Sequence, residues 1–325
     1  MRKTTVALVL LGVWVVGAQS TLASVTQGDL FYTVYSGFNR VKKVSYNFDG
    51  STFSLGTPTV LASGIGADGI AGNPNDANSV LVAGQGSGLL HRVSRSGGGV
   101  LQSAGTISNA FHLEVADSST LYVSGIPGAL GRVALNGDGS IGATTSIAVS
   151  GSNTDVTQII TTPSGDFYTR SFSGGNGTFG TISFSGTSAT TTALLTSLPA
   201  AHGGVYDPFT NTIILMGDNH LTQVSLGGVI LADLTISGAR FDQGTVDGKG
   251  HLFAASNTGG LMFMDYAAAT GGLIDDAGNF SSMLFLEDYL DDIAPLVGAG
   301  TTDPVIPEPS TLVIWSLLAV LGIAT

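Results

Sequence analysis

The sequence predicts an all-β protein, a six-bladed β-propeller, on three observations. A composite pattern recurs roughly every 40–50 residues, a period characteristic of propellers and solenoids. Short apolar runs alternate with glycine and small hydroxyl residues, with 47 glycines and only 10% charged residues in a chain of 325. That mix favours short strands joined by tight turns. Finally, no interior stretch sustains the 3.6-residue period of an amphipathic helix.

Each copy of the pattern, between Asp29 and Val297, has three signals. The first is a small-residue segment holding Asp or His: Ala67-Asp68-Gly69-Ile70, Phe111-His112-Leu113, Thr154-Asp155-Val156, Ala201-His202-Gly203 and Phe241-Asp242-Gln243. The second is a polar turn and a continuous apolar run, such as Val80-Leu81-Val82, Leu121-Tyr122-Val123 or Ile213-Ile214-Leu215. A run apolar on both faces suits a strand sandwiched between neighbouring sheets. The third is an alternating strand that ends in Gly or Asp-Gly, as in ALGRVALNGDG from Ala129 and TFGTISFSG from Thr178. Period-2 patterning into such a turn is a hairpin signal. A further strand follows each time, for instance Ser146 to Val149. Four antiparallel strands make one propeller blade.

The first unit, residues 29–62, has the second and third signals and a fourth strand near Val60 but lacks the Asp/His segment. The missing piece lies at the other end, in Leu290-Asp291-Asp292-Ile293-Ala294-Pro295-Leu296. The expectation is therefore that a C-terminal inner strand completes blade one. This closure would join the two ends of the ring and cover two sheet edges. The propeller domain is assigned to residues 24–300.

The formal net charge is −12, and all the acids follow Ala23. Removing a leader that carries Arg2 and Lys3 takes the charge to −14. Such a surface repels nucleic acid and anionic lipid and attracts cations, so nucleic acid is not an expected partner. The absence of cysteine excludes disulfides, thiolate nucleophiles and cysteine-ligated metals. Residues 1–23 read as a secretory signal peptide: a basic start, the apolar run Val6 to Val16, and Thr21-Leu22-Ala23 as the cleavage tripeptide.

At the other end, residues 301–310 form a linker that contains Pro307-Glu308-Pro309-Ser310, and residues 311–325 are almost wholly apolar. Two prolines around a glutamate mark an extended joint, and an apolar helix is predicted after it. This arrangement resembles the PEP-CTERM sorting tail, in which a Pro-Glu-Pro box precedes a membrane helix. The resemblance covers about the last 20 residues and fits the export signal. It implies that Pro307, Glu308, Pro309 and Ser310 are the recognition box of an exosortase-like processing enzyme. It also implies that Leu312 to Ala324 anchor the chain transiently in the membrane. The family's terminal basic cluster is missing, because no Arg or Lys follows the apolar stretch.

Inner strands of a propeller run along its channel, which would place Asp68, His112, Asp155, His202, Asp242 and Asp292 at similar levels. Four carboxylates and two imidazoles could hold a divalent cation, with the oxygen ligands pointing to calcium. The cofactor is otherwise undefined. The acidic stretch Asp275, Asp276, Glu287, Asp288, Asp291 and Asp292 reads as a solvated loop without a calcium-loop spacing. Gly64 to Gly69 matches G-x-G-x-x-G by letter, but Asn73-Pro74 follows where a dinucleotide site needs a helix. Tyr35, Phe38, Tyr46 and Phe48 are aromatic candidates for stacking on sugars.

Together these features predict an exported, envelope- or matrix-directed propeller interaction module whose ligand is an extracellular polysaccharide or protein. The alternative is a calcium-dependent, lactonase-like hydrolase with its site in the channel. That alternative is an analogy of fold, carried by no motif.

Overall fold

The computed structural model describes residues 25–35, 39–125, 128–171, 177–199 and 201–298. The signal peptide, the Pro307–Ser310 box and the apolar segment after it lie outside the described residues. Among the described residues no helix is long and apolar enough to cross a membrane.

Among the described residues, twenty-three strands follow one another. The first group is β1 (Thr26–Val34), β2 (Arg40–Phe48), β3 (Phe53–Leu55) and β4 (Thr59–Ser63). Both β3 and β4 pair with β2. They are one outer strand interrupted at Gly56-Thr57-Pro58, where proline cannot donate to the ladder. The second group is β5 (Ala67–Gly72), β6 (Ser79–Gly84), β7 (Leu89–Ser94) and β8 (Val100–Gly105). Next come β9 (Ala110–Asp117), β10 (Thr120–Gly125), β11 (Ala129–Leu135) and β12 (Ile141–Gly151). They are followed by β13 (Gln158–Thr162), β14 (Gly165–Arg170), β15 (Gly177–Ser185) and β16 (Ser188–Leu198). The remainder is β17 (Gly203–Asp207), β18 (Thr212–Ser225), β19 (Ile230–Val246), β20 (His251–Ser256), β21 (Gly260–Asp265), β22 (Phe280–Phe285) and β23 (Leu290–Ile293).

Hydrogen bonding joins them into sheets of five, four, eight and six strands, where the sequence reading expects separate four-stranded units. Two features merge the units. A parallel ladder from Ala148–Gly151 to Ser188–Thr191 links β12 to β16. In addition, β18 and β19 each serve two roles. The first half of β18 pairs with β17 and its second half with β19, and left-handed Asn219 marks a register shift within the second ladder. Likewise β19 passes from β18 to β20, and Gly238 (φ 85°) bends the chain without ending the ladder.

Burial explains the sequence pattern. Strands β5, β6 and β20 are buried at every residue, because both faces meet neighbouring sheets. Outer strands β8 and β22 alternate toward solvent. The innermost strands form a circuit: β5 lies against β9, β9 against β13, β13 against β17, β17 against β19, and both β19 and β5 against β23. Apolar clusters fill the spaces between successive groups. The cluster between last and first holds Phe48, Phe53, Phe253 and Phe263, with Phe53 stacked on Phe263 at 4.3 Å. Tyr46 and Phe48 are thus core residues and not sugar platforms, since interdigitated aromatics are needed where the chain ends meet. Tyr35 remains exposed, and Phe38 lies outside the described residues.

Strand β23 pairs antiparallel with β1, through Tyr32 with Ile293 and Val34 with Leu290. Tyr289, in left-handed backbone (φ 60°), turns the chain into this strand, and its carbonyl accepts the Tyr35 N–H at 3.1 Å. Glu287, just before, bonds Lys42 and Tyr32 and lies 3.8 Å from Arg40. The late strand is held by backbone pairing, buried polar bonds and an aromatic core together.

Candidate metal centre

A repeated bulge builds the site. Between Ala67 and Ile70, Asp68 and Gly69 face the single residue Ala83 of β6. In the same way Phe111-His112 face Ser124, Asp242-Gln243 face Ala255, and Asp291-Asp292 face Thr33. The other two inner strands begin similarly, with N–H groups of Thr157 and His202 donating to the carbonyls of Thr169 and Met216 just ahead of the first pair. A two-against-one bulge re-aims its side chains and interrupts the ladder locally. It can therefore turn polar groups inward from strands otherwise buried in apolar surroundings. Gly69 and Gly203 let adjacent inner strands close up: a Cβ there would lie 2.1 Å from the carbonyl oxygens of Phe111 and Asp242, respectively.

Three donor atoms converge: His112 Nε2, His202 Nε2 and Asp242 Oδ1, all within 4.8 Å of one another. Asp242 Oδ1 lies 2.7 Å from His202 Nε2 and 3.7 Å from His112 Nε2. His202 and Asp242 are at ion-pair distance, while His112 Nε2, also buried, has no hydrogen-bond partner. Leaving a buried imidazole nitrogen unpaired is costly, and three donor atoms gathered this closely could share one metal ion.

Their surroundings orient them. His112 Nδ1 lies 3.0 Å from Asp292 Oδ2; donation there leaves Nε2 with a free lone pair. The Asp292 N–H donates to Thr33 Oγ1 at 3.0 Å. Asn257 Nδ2 donates to Asp242 Oδ2 (3.0 Å), Asp291 Oδ1 (2.9 Å) and the Leu290 carbonyl (3.2 Å). His202 packs edge-on to Phe111, with ring centroids 5.3 Å apart.

The cluster carries an excess of acid. Burial, then the charges of Asp292 and Asp242, push Asp68 well above the usual carboxylate range. Burial and then Asp68, Asp242 and Asp292 do the same to Asp291. Burial also raises Asp292, against the pull of His112. Asp242 alone is lowered: burial opposes its charge, but the His202 and His112 imidazoles outweigh it. Burial works against a charged His202, and Asp242 overcomes it and raises the imidazole.

Of the six residues expected around the channel, five belong to this region. His112, His202 and Asp242 meet directly, Asp292 orients His112, and buried Asp68 senses Asp242 and Asp292. Asp155 does not join them. It precedes β13 by three residues, is 38% exposed, and lies 3.9 Å from Arg170. In that unit the bulge position belongs to Thr157-Gln158. The calcium preference rested on four carboxylates, whereas the converging set is two imidazoles and one carboxylate. The acidic stretch also divides: Glu287 fixes the seam, Asp276 caps Gly278, and Asp291 and Asp292 are buried. Asn257 has no distinguishing sequence signal. Asp291 is adjacent to Asp292, but without the bulge its direction is unreadable.

The far ends of the inner strands line a cavity of about 590 Å³, with Glu114, Gln158, Gln243 and Asp247 among apolar walls. Glu114 Oε1 accepts the Thr161 N–H at 2.7 Å, and Gln158 Oε1 accepts the Gly204 N–H at 2.7 Å. Burial, with the Thr161 N–H opposing and the Asp166 charge adding, pushes Glu114 up to about 8.

No family model and no curated protein matches the sequence. Solved structures match it in shape. A chain of the nidogen/laminin complex aligns with TM-score 0.57 at 14% identity, over 83% of this chain and 98% of that one. Regucalcin, a calcium-binding protein from Agrobacterium tumefaciens, aligns with TM-score 0.51 at 13% identity, over 76% of this chain and 86% of its own. The chain has an all-β, propeller-like fold.

Proposed function

We propose that this protein is an exported six-bladed β-propeller interaction module that holds a divalent metal ion of the zinc type between His112, His202 and Asp242. Support for six blades comes from the inner-strand circuit and from β23 completing the first group. The leader and the Pro307–Ser310 tail support export, processing by an exosortase-like enzyme and transient membrane anchoring. The destination is then the envelope or extracellular matrix, with a polysaccharide or protein ligand. The observation that carries the metal reading is the convergence of three buried donor atoms from β9, the start of β17 and β19. Two imidazoles and one carboxylate suit zinc or a neighbouring transition metal, whereas calcium takes oxygen ligands. A divalent cation would also offset the acid gathered around it.

The test is metal content after chelation and re-equilibration with zinc or calcium. About one zinc per chain and a raised melting temperature are expected, with both lost in His112→Ala/His202→Ala. Retention of no zinc, or equal retention by the double variant, overturns the metal reading. The ligand count supports a second reading, a metal-dependent hydrolase: three protein ligands leave one position where the ion would polarise a substrate carbonyl. Zinc-dependent cleavage of an ester or lactone, lost in Asp242→Asn, would distinguish it from a pure binding module.

A further inference from the structure

The geometry points to a second binding site, in the cavity at the opposite end of the inner strands, for an uncharged, mainly apolar molecule carrying an amide N–H. Its volume, about 590 Å³, lies within the range of small-molecule sites. Ile160, Val205, Tyr206, Pro208, Pro295 and Val297 supply apolar walls. The rim is built: the Leu296 N–H donates to Thr245 Oγ1 at 2.7 Å, which fixes the Pro295–Val297 stretch over β19.

Two polar oxygens are left open, Gln243 Oε1 and Thr161 Oγ1. Gln243, only 3% exposed, lines this cavity, and its Oε1 has no hydrogen-bond partner. The lining oxygens of Gln158, Glu114 and Asp247 already accept bonds. Gln158 Oε1 takes Gly204 N–H, and Glu114 Oε1 takes Thr161 N–H. Asp247 is bonded by Lys249 N–H, His251 and Thr26. The unmet demand is therefore an amide oxygen that needs a donor, beside a hydroxyl that can donate or accept, in an apolar space. No Lys or Arg lines the cavity, so a carboxylate or phosphate would enter without a counter-charge and beside the Asp247 carboxylate. An amide N–H satisfies Gln243 while the rest of the ligand buries apolar surface. Gln243 shares its bulge with Asp242, so one irregularity directs one residue to the metal centre and the next to the cavity.

The full-length protein can be tested with benzamide, its anion isostere benzoate, and toluene, by saturation-transfer NMR. Benzamide should bind, and benzoate at least ten-fold more weakly. Gln243→Leu should reduce benzamide binding at least ten-fold while toluene binding is kept. Zinc content, measured in the same samples, should stay at the parent level, so failure here is separable from failure of the metal reading. Should Gln243→Leu not fold, Val205→Phe, which fills the cavity from its wall, decides: benzamide binding lost supports the site, and binding kept overturns it. Absence of benzamide binding, equal binding of benzoate, or unchanged benzamide binding in Gln243→Leu likewise overturns the proposal.

Discussion

The two ends of the inner strands carry opposite chemistry. At the bulged end, buried His112, Asp68, Asp242, Asp291 and Asp292, with His202, form a dense polar cluster. A few residues further along, β9, β13, β17, β19 and the stretch after β23 enclose an apolar cavity with isolated polar groups. The contrast arises in the ladder. Where two residues face one, a side chain that strict alternation would send into the blade is released toward the axis. Where the ladder is regular, Ile160, Val205 and their neighbours follow ordinary strand periodicity. The end of the chain serves both regions: Asp291 and Asp292 join the cluster, and Pro295 and Val297 wall the cavity.

The largest effect should follow from removing that shared stretch. A chain ending at Glu287 loses β23, both aspartates and the cavity rim, and should lose several kcal/mol of a total margin of ~5–15. A chain ending at Asp303 should melt with the full-length protein. Equal melting of the two shortened chains would refute closure by β23. Next, Gly203→Ala places a Cβ 2.1 Å from the Asp242 carbonyl oxygen and 3.1 Å from the Gln243 Cα. Parting β17 from β19 should cost about 1–3 kcal/mol and disturb both ends, weakening zinc and benzamide binding together. Unchanged zinc affinity would show that the close approach is unnecessary.

Asp292→Asn should separate the ends. It alters the group that orients His112 and should lower zinc affinity about 10–100-fold, while benzamide binding in the cavity is unaffected. Parallel loss at both would mean that the ends are not independent. The smallest effect serves as a control remote from both. Arg92 lies 2.7 Å from Asp76. Burial opposes the Asp76 charge, but bonds from Ser79, Arg92 and the Asn78 N–H hold its pKa at about 2. Because the folded value lies below the ordinary 3.8, this contribution is complete above that pH and fades as pH falls toward 2. It should amount to no more than about 2 kcal/mol. Arg92→Leu should flatten the acid limb of a stability–pH profile without changing zinc content.

Much of the frame is legible in the chain. The apolar runs at Val80, Leu121, Phe167, Ile213 and Leu252 all become second strands, and the alternating segments become third strands, because burial on one face or two writes itself into periodicity. The incomplete first unit and the Leu290–Leu296 stretch predict their own pairing, which β1 and β23 make. The letter match at Gly64–Gly69 is correctly set aside, since Ala67–Gly72 is a strand. Register near the axis is less legible. Asp155 resembles the other anchors by local sequence, yet the bulge in its unit falls on Thr157-Gln158, and Asp155 turns to Arg170.

The sequence by itself determined the all-β class, the repeat, and which end segment completes the first group, since these depend on local periodicity and a missing piece. Only the tertiary structure decided which acids and imidazoles meet. Convergence of His112, His202 and Asp242 requires β9, the start of β17 and β19 to be brought together, with Asn257 and Asp292 behind them. Those contacts span from 15 to 180 residues, and no local pattern encodes the direction of a side chain across such a distance.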